Sequence, residues 1–208
     1  REAHLIAGVP WSRMAVLVRG AGSLPVLRRA LQSGGVPVSM RTDEQPLVDV
    51  PIVRALLRVL EIATGRLDLA GADGPDLALD LVTGPLGGAD PLAVRRLRQE
   101  LRRIELASGG GRASRNLLAD ALDRPVELTA VETRTAAPAA RVARLLAAAR
   151  EAAADNSAAA EAVLWSVWSA SGLAQRWSVT ALGGGPGAAA ADRDLDAVVA
   201  LFDAAGRF

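Results

Sequence analysis

Alanine is the most frequent apolar residue of this chain, and large aromatic side chains are almost missing. The 208 residues include 43 alanines, two phenylalanines, four tryptophans and no tyrosine. Alanine has the highest helix propensity, and its small side chain lets helices approach closely. The composition therefore predicts a mostly α fold with a core of leucine, valine and alanine. Half of the residues are hydrophobic, enough for a buried core and against wholesale disorder.

Three residue types that carry much enzyme chemistry are missing or nearly so. The chain has no cysteine and one histidine, His4, and all 24 basic residues are arginine. Without cysteine there is no disulfide framework, thiol nucleophile or thiolate zinc site. Without lysine there is neither a complete P-loop nor Schiff-base chemistry. We therefore predict no catalytic residue and no metal site in this chain.

Charge is distributed unevenly along the sequence. Residues 95–115 contain seven arginines against Glu100 and Glu105, whereas residues 120–208 contain eight arginines against eleven acidic residues. This asymmetry predicts one cationic surface on a mildly acidic body. The sequence has no apolar run of roughly 18 residues and no secretory signal pattern, so we expect a cytoplasmic protein without membrane contact.

The first 50 residues carry the only strand-like patterns. Residues 14–19 and 36–40 are short apolar runs that flank a helical pattern at 24–33. A short apolar run between turn residues is typical of a buried parallel strand. We therefore predict a short parallel βαβ unit at the N-terminus, followed by an all-helical domain. The alternative is that residues 14–19 are a buried helical segment.

Helical patterns follow from Pro46 onward. Gly, Pro and Asp are concentrated in residues 66–75, which predicts a boundary between two domains, 1–65 and 66–208. A helix is expected to begin at Pro51 and to end at Gly65. Further helices are expected at 76–82, 90–107, 114–122, 138–154, 157–171 and 192–207.

The predicted helix at 90–107 is strongly amphipathic. Its apolar positions fall on one side, and Arg95, Arg98 and Arg102 fall together on the opposite side, with Arg96 and Arg103 beside them. Guanidinium groups in this arrangement suit phosphate oxygens, so these three arginines are candidate DNA contacts. The alternative is a solvated charged face.

A glycine-rich segment, TGPLGGA, precedes that helix. Gly84, Gly87 and Gly88 could let backbone N–H groups approach a phosphate, next to the positive end of the helix. The spacing is not that of a dinucleotide fingerprint, and a tight turn is the alternative. Trp165, Trp168 and Trp177 are expected to anchor the packing of the C-terminal helices.

Residues 11–57 contain an ordered series of short motifs. They are WSRMAVLVR at 11–19, LRRAL at 27–31, GGVPV at 34–38 and PLVDVPIVRALL at 46–57. This series resembles the second RecA-like domain of superfamily 1 DNA helicases of the UvrD/Rep/PcrA type. The alanine- and arginine-rich character is most similar to actinobacterial helicases of this type, including the AdnAB helicase–nuclease subunits.

The resemblance implies a parent protein that is an ATP-driven 3′-to-5′ DNA helicase acting in repair and recombination. Residues 1–65 would be part of the second RecA-like domain, and residues 66–208 the helical 2B domain inserted into it. The parent would bind ATP and Mg²⁺ through motifs outside this sequence. We therefore expect no cofactor here, and neither ATP hydrolysis nor unwinding by this chain alone.

The resemblance also suggests where DNA and partners would bind. Arg19 matches an arginine that neighbours single-stranded DNA in the family, although Gly20 and Ala21 replace the usual Thr-Asn; the alternative is that Arg19 pairs with Asp43 or Glu44. Residues 84–103 match the place of a family element associated with duplex DNA. The implied partners are duplex and single-stranded DNA, the other helicase domains and a helicase–nuclease partner subunit. The alternative function is a helical protein-interaction module.

Overall fold

The computed structural model of the chain describes residues 4, 7–16, 24–38, 46–154, 159–185 and 187–207. It divides into two compact units, 1–46 and 47–208. Within the described ranges the chain is mostly helical. The α-helices are α1 (Leu24–Ser33), α2 (Pro51–Ala63), α3 (Gly74–Thr83), α4 (Pro91–Ala107), α5 (Ser114–Asp123), α6 (Thr133–Ala153), α7 (Ala160–Ser171), α8 (Leu173–Gly183) and α9 (Ala188–Ala205). Short 3-10 helices lie at Trp11–Arg13, Leu47–Asp49 and Pro125–Ala130.

The predicted βαβ unit is not found in the first compact unit. Its central helix is present as α1, and Gly35 adopts a left-handed conformation just after it. Of the two expected strands, residues 14–16 and 36–38 form no strand, and residues 17–19 and 39–40 lie outside the described residues. Val16 is 60% exposed, which a strand buried on both faces would not allow. A short apolar run has too little periodicity to identify a strand by itself.

The second unit is a helical domain whose core is built from small and medium apolar side chains, as the composition predicts. α2 packs against α6, α7 and α9. It contributes Ile52, Leu56 and Val59, and α6 contributes Val142 and Leu146, all fully buried. Since α2 packs into this core, the two compact units separate at Pro46, earlier in the chain than the boundary predicted at residue 65.

The helix bounds differ from the prediction at several ends; α9, for example, begins at Ala188 rather than at residue 192. Two of the differences have a local cause. α6 begins at Thr133 rather than at Pro138, because Glu132 caps it by accepting hydrogen bonds from the N–H groups of Arg134 and Thr135. α8 was not predicted. Gly172 adopts a left-handed conformation between α7 and α8, which ends one helix and lets the next begin immediately.

The tryptophans fulfil their predicted packing role in part. Trp168 is buried, and its ring lies 5.9 Å from that of Trp177. Trp165 is 60% exposed, and its ring makes an edge contact with that of Phe202 in α9, at 5.8 Å between ring centroids. Trp165 therefore contributes to the packing of the C-terminal helices from the surface, whereas Trp168 does so from the core. Among the described residues, no helix is both long and apolar enough to cross a membrane.

Candidate nucleic-acid interface

Helix α4 has the two-sided character that its sequence predicts. Val94, Leu97 and Leu101 are buried in the core, and Ile104 packs partly against it. Asp90 begins the helix, and its carboxylate accepts a hydrogen bond of 2.7 Å from the N–H of Ala93. Because the apolar positions recur every three or four residues, they hold one face of α4 to the core and turn the other face outward.

Three arginines on the outer face of α4 line one pocket, and we call Arg95, Arg98 and Arg102 the arginine row. Arg95 is exposed, whereas Arg98 and Arg102 are partly buried. The pocket has a volume of about 470 Å³ and is lined by these three residues together with Pro91, Val94, Gln99 and Ser114. The candidate arginines predicted from the sequence therefore lie together, and Ser114 brings the start of α5 to them.

Arg102 is held in place by the segment that follows α4. Its Nη1 donates a hydrogen bond of 2.7 Å to the backbone carbonyl of Arg112. The Arg112 side chain is fixed in turn by three carboxylates, at 2.7 Å from Glu105, 2.7 Å from Asp120 and 3.4 Å from Glu127. One end of the arginine row is thus attached to a network of charges that joins α4, α5 and the 3-10 helix at Pro125–Ala130.

Glu105 is the buried member of that network. Its side chain is 5% exposed, and its carboxylate accepts hydrogen bonds from both the guanidinium and the backbone N–H of Arg112. The Arg112 guanidinium holds the pKa of Glu105 below its usual value, because its hydrogen bonds favour the ionised carboxylate. Sequence reasoning missed this pair. The available signal was the position of Glu105, four residues after Leu101 and so on the apolar face of α4.

Part of the predicted positive charge is neutralised within the fold. Arg103 pairs with Glu100 at 2.9 Å, and Arg112 pairs with three acidic residues. Within the described ranges the other five arginines of residues 95–115 form no ion pair; they are Arg95, Arg96, Arg98, Arg102 and Arg115. The Nε of Arg98 is buried and has no hydrogen-bond acceptor there. The cationic surface is therefore concentrated on the arginine row and on Arg96 and Arg115.

The glycine-rich segment at 84–88 forms a tight turn. The N–H of Gly88 donates to the carbonyl of Gly84 at 2.8 Å, and the N–H of Ala89 donates to the carbonyl of Val82 at 3.0 Å. Gly88 has a left-handed φ of 66°. A Cβ at Gly87 would lie 2.2 Å from the carbonyl oxygen of Val82. These glycines are needed for the turn itself, which supports the turn alternative over a phosphate cradle.

The start of α4 does not offer the free positive end that the sequence suggested. The Asp90 carboxylate occupies the N–H of Ala93 and places a negative charge there. The lining of the arginine-row pocket includes Pro91 but none of the three candidate glycines. Gly84, Gly87 and Gly88 are therefore not brought into one pocket with the arginine row. Arg19, the remaining candidate, lies outside the described residues.

A second group of arginines lies beside the glycine turn. Arg141 of α6 donates a hydrogen bond from Nη2 to the carbonyl of Gly87. Burial lowers the pKa of Arg141, and the positive charges of Arg176 and Arg144 lower it further. Sequence reasoning missed this group because its members come from α6 and α8, which are far apart along the chain.

No protein-family model and no curated protein matches this chain. Within the described parts of the chain, no group of three or more His, Cys, Asp or Glu side chains is arranged to hold a metal ion. The interpretation of the site therefore rests on its own residues and on the motif resemblance at 11–57.

Proposed function

We propose that this chain is part of an ATP-dependent 3′-to-5′ DNA helicase of superfamily 1 that acts in DNA repair and recombination. In this proposal the chain supplies contacts to duplex and single-stranded DNA, and the ATP and Mg²⁺ sites lie in other parts of the parent protein. The observation that supports DNA contact most directly is the arginine row, three arginines that line one pocket and have no acidic partner among the described residues.

The chemistry of the row suits a phosphate backbone. Arginine carries a permanent charge and presents several N–H donors in a plane, which matches the oxygens of a phosphate group. From Arg95 to Arg102 the row extends roughly 10 Å along the helix axis, at about 1.5 Å per residue. That length corresponds to about three base-pair steps of duplex DNA. Contacts of this kind hold the nucleic acid without reading its sequence.

The assignment to the second RecA-like domain and its inserted helical domain is supported by the motif order at 11–57 and by the helical second unit. The expected βαβ unit does not add to that support. We therefore propose a positional role, in which the helical unit contacts duplex DNA and the N-terminal unit lies near the single strand in the parent protein.

The test of this proposal is the salt dependence of duplex binding by the 208-residue chain. The variant in which Arg95, Arg98 and Arg102 are all changed to alanine should flatten the slope of log affinity against log salt by roughly two to three, since each phosphate contact contributes about 0.9. A matched control changes three exposed arginines elsewhere, Arg66, Arg134 and Arg193, to alanine. Equal slopes for the two triple variants would contradict a specific role of the row.

One observation favours a second candidate function, a helical protein-interaction module. An apolar groove of about 580 Å³ lies between the 3-10 helix at Pro125–Ala130 and α6, and Leu128, Val131 and Ala140 are among its lining residues. Val126 on the same 3-10 helix is highly exposed. Binding of a partner helix here would depend little on salt, because the contact would be mainly apolar. Salt dependence therefore separates the two functions.

A further inference from the structure

The pocket between α4 and the first residue of α5 has the composition of an anion site. Its seven lining residues include the three arginines of the row, Gln99 and Ser114, and none of the seven is acidic. Three like charges around one pocket repel each other, and the repulsion is relieved when an anion lies between them.

We propose that Arg98, at the middle of this pocket, and Ser114 bind one phosphate group of a phosphate ester, and that Arg95 and Arg102 flank this group and lie within reach of the neighbouring phosphates when the ester is a nucleic-acid backbone. This inference rests on the proposed function in that both use the arginine row. It adds a defined ligand group, a defined location, and a contribution from α5 that the sequence pattern of α4 alone does not contain.

Arg98 gives the first argument for a bound anion. It is the middle residue of the row, it is partly buried, and its buried Nε has no acceptor among the described residues. A buried charged donor without a partner is unfavourable, and most such groups in folded proteins are satisfied. The guanidinium charge is shared over all its nitrogens, so a phosphate in the pocket would compensate the charge of Arg98 as a whole.

The fixed position of Arg102 gives the second argument. Arg102 donates to the Arg112 carbonyl, and Glu105, Asp120 and Glu127 hold the Arg112 side chain. A flexible arginine would lose side-chain entropy on binding a ligand, whereas one that is already held loses less. Glu105 and Arg112 are thus positioning residues for this site, since they act on the ligand only through Arg102.

The start of α5 gives the third argument. Asp90 caps α4 with its carboxylate, but Ala113 precedes α5 and offers no side-chain cap. The first N–H groups of an uncapped helix need an acceptor from elsewhere and attract negative charge. Ser114, the first residue of α5, places this helix end at the pocket. Arg98 and the start of α5 therefore offer donors to the same phosphate from two elements.

The test uses the ¹⁵N-labelled 208-residue chain and titrates it with inorganic phosphate, with sodium chloride at equal ionic strength as the control. We expect saturable shifts of the Arg98 Nε–H and the Ser114 N–H signals. Arg98→Gln should weaken phosphate binding at least tenfold, and Ser114→Ala should weaken it several-fold. Arg66→Gln, which changes an exposed arginine outside the pocket, should leave it unchanged. Circular dichroism checks that each variant is folded.

Several results would overturn the phosphate site. One is that the signal shifts do not saturate as phosphate is added. Another is that exposed arginines throughout the chain shift by the same amount. The third is that the unsubstituted chain and the Ser114→Ala variant give identical titrations. The last comparison decides the question even if Arg98→Gln does not fold, because Ser114 is exposed and its hydroxyl is not part of the core.

Duplex DNA then shows where the phosphate comes from and separates this inference from the proposed function. Duplexes are added to the chain loaded with inorganic phosphate, and reversal of the Arg98 and Ser114 shifts reports competition for the site. Competition by duplexes with 5′-hydroxyl ends would indicate that the site binds a backbone phosphodiester. Competition only by 5′-phosphorylated duplexes would indicate that it binds a terminal phosphate. Phosphate binding at Arg98 without any duplex binding would support the site and contradict the DNA function. Duplex binding that needs the row, without a response of Arg98 or Ser114 to phosphate, would contradict the site alone.

Discussion

The carboxylate of Glu105, 5% exposed on the apolar face of α4, accepts a hydrogen bond of 2.7 Å from Nη2 of Arg112. A further bond of 2.9 Å from the Arg112 N–H completes the pairing. Removal of Arg112 would leave the buried Glu105 carboxylate without its partner, which is more destabilising than the absence of both residues, whereas Arg112 without Glu105 would keep Asp120 and Glu127. This pair therefore supports both the local fold around residues 105–112 and the orientation of Arg102.

The first prediction concerns the pH dependence of this pair. Hydrogen bonds from Arg112 hold the pKa of Glu105 below its ordinary value of 4.5 in the folded state. As the pH falls, the unfolded chain takes up the proton first, so the stabilisation is complete above about pH 5 and is lost on further acidification. We expect the Glu105→Gln variant to have a lower melting temperature at pH 7 than the unsubstituted 208-residue chain.

The difference in melting temperature between the two chains should become smaller as the pH falls towards 3. Thermal unfolding followed by circular dichroism at several pH values measures it. Other acidic groups titrate in both chains, so the comparison isolates the contribution of residue 105. A gap that stays constant from pH 7 to pH 3 would show that ionised Glu105 contributes nothing to folding.

The second prediction concerns the glycines between α4 and α5. A Cβ at Gly110 would lie 2.2 Å from Oε1 of Glu105, whereas a Cβ at Gly111 would have no heavy atom within 4 Å. Gly110→Ala should displace the Glu105 carboxylate from Arg112 and destabilise the chain by about 1–3 kcal/mol, as the loss of a partner for a buried charged group does. Gly111→Ala serves as the matched control and should change the free energy of unfolding by less than about 0.5 kcal/mol. Urea denaturation measures both, and similar values for the two variants would contradict the prediction.

The extent to which the sequence predicts this region depends on how local each interaction is. The helix bounds at Pro91 and Ala107 and the buried positions Val94, Leu97 and Leu101 follow from an Asp-Pro start and a helical period, both contained within about 20 residues. The pairing of Glu105 with Arg112 depends on the path of the chain through residues 108–111. The pattern places Glu105 on the apolar face, but it does not say which of the nearby arginines reaches it.

The incorrect strand expectation and the two alternatives for the glycine segment have similar causes. The strand-like runs at 14–19 and 36–40 are too short for periodicity to distinguish a strand from irregular chain, and Val16 is exposed where a buried strand was expected. The glycines at 84–88 fit a phosphate cradle or a tight turn equally well as a sequence. The contact that explains why the turn needs glycine, the close approach of Gly87 to Val82, becomes visible only when α3 and the turn are placed together.

The third prediction tests that turn. Gly87→Ala would place a Cβ 2.2 Å from the carbonyl oxygen of Val82, and both residues are buried. We expect a loss of about 1–3 kcal/mol or more in the free energy of unfolding, because the backbone must shift to relieve the overlap. Gly183→Ala, at the end of α8 with open space around it, should be neutral or stabilising by up to about 1 kcal/mol. An unchanged midpoint for Gly87→Ala in urea would contradict the turn geometry.

The last prediction tests whether Glu105 acts on DNA binding through Arg112 and Arg102. Glu105→Gln loosens Arg112, whose carbonyl holds Arg102, so its effect on duplex affinity should largely disappear once Arg102 is already alanine. A double-mutant cycle with Glu105→Gln and Arg102→Ala should give a coupling energy in the range of about 0.5–3 kcal/mol. The matched cycle with Arg95→Ala should be additive within about 0.5 kcal/mol, because Arg95 lies two helical turns from Arg102 and its side chain makes no hydrogen bond to Arg112.

Fluorescence anisotropy of a labelled duplex at fixed salt measures all of these affinities, since the salt concentration alone changes them strongly. Equal coupling in the two cycles would mean that Glu105→Gln alters the whole row by loosening the fold, and Glu105 would then have no specific positioning role.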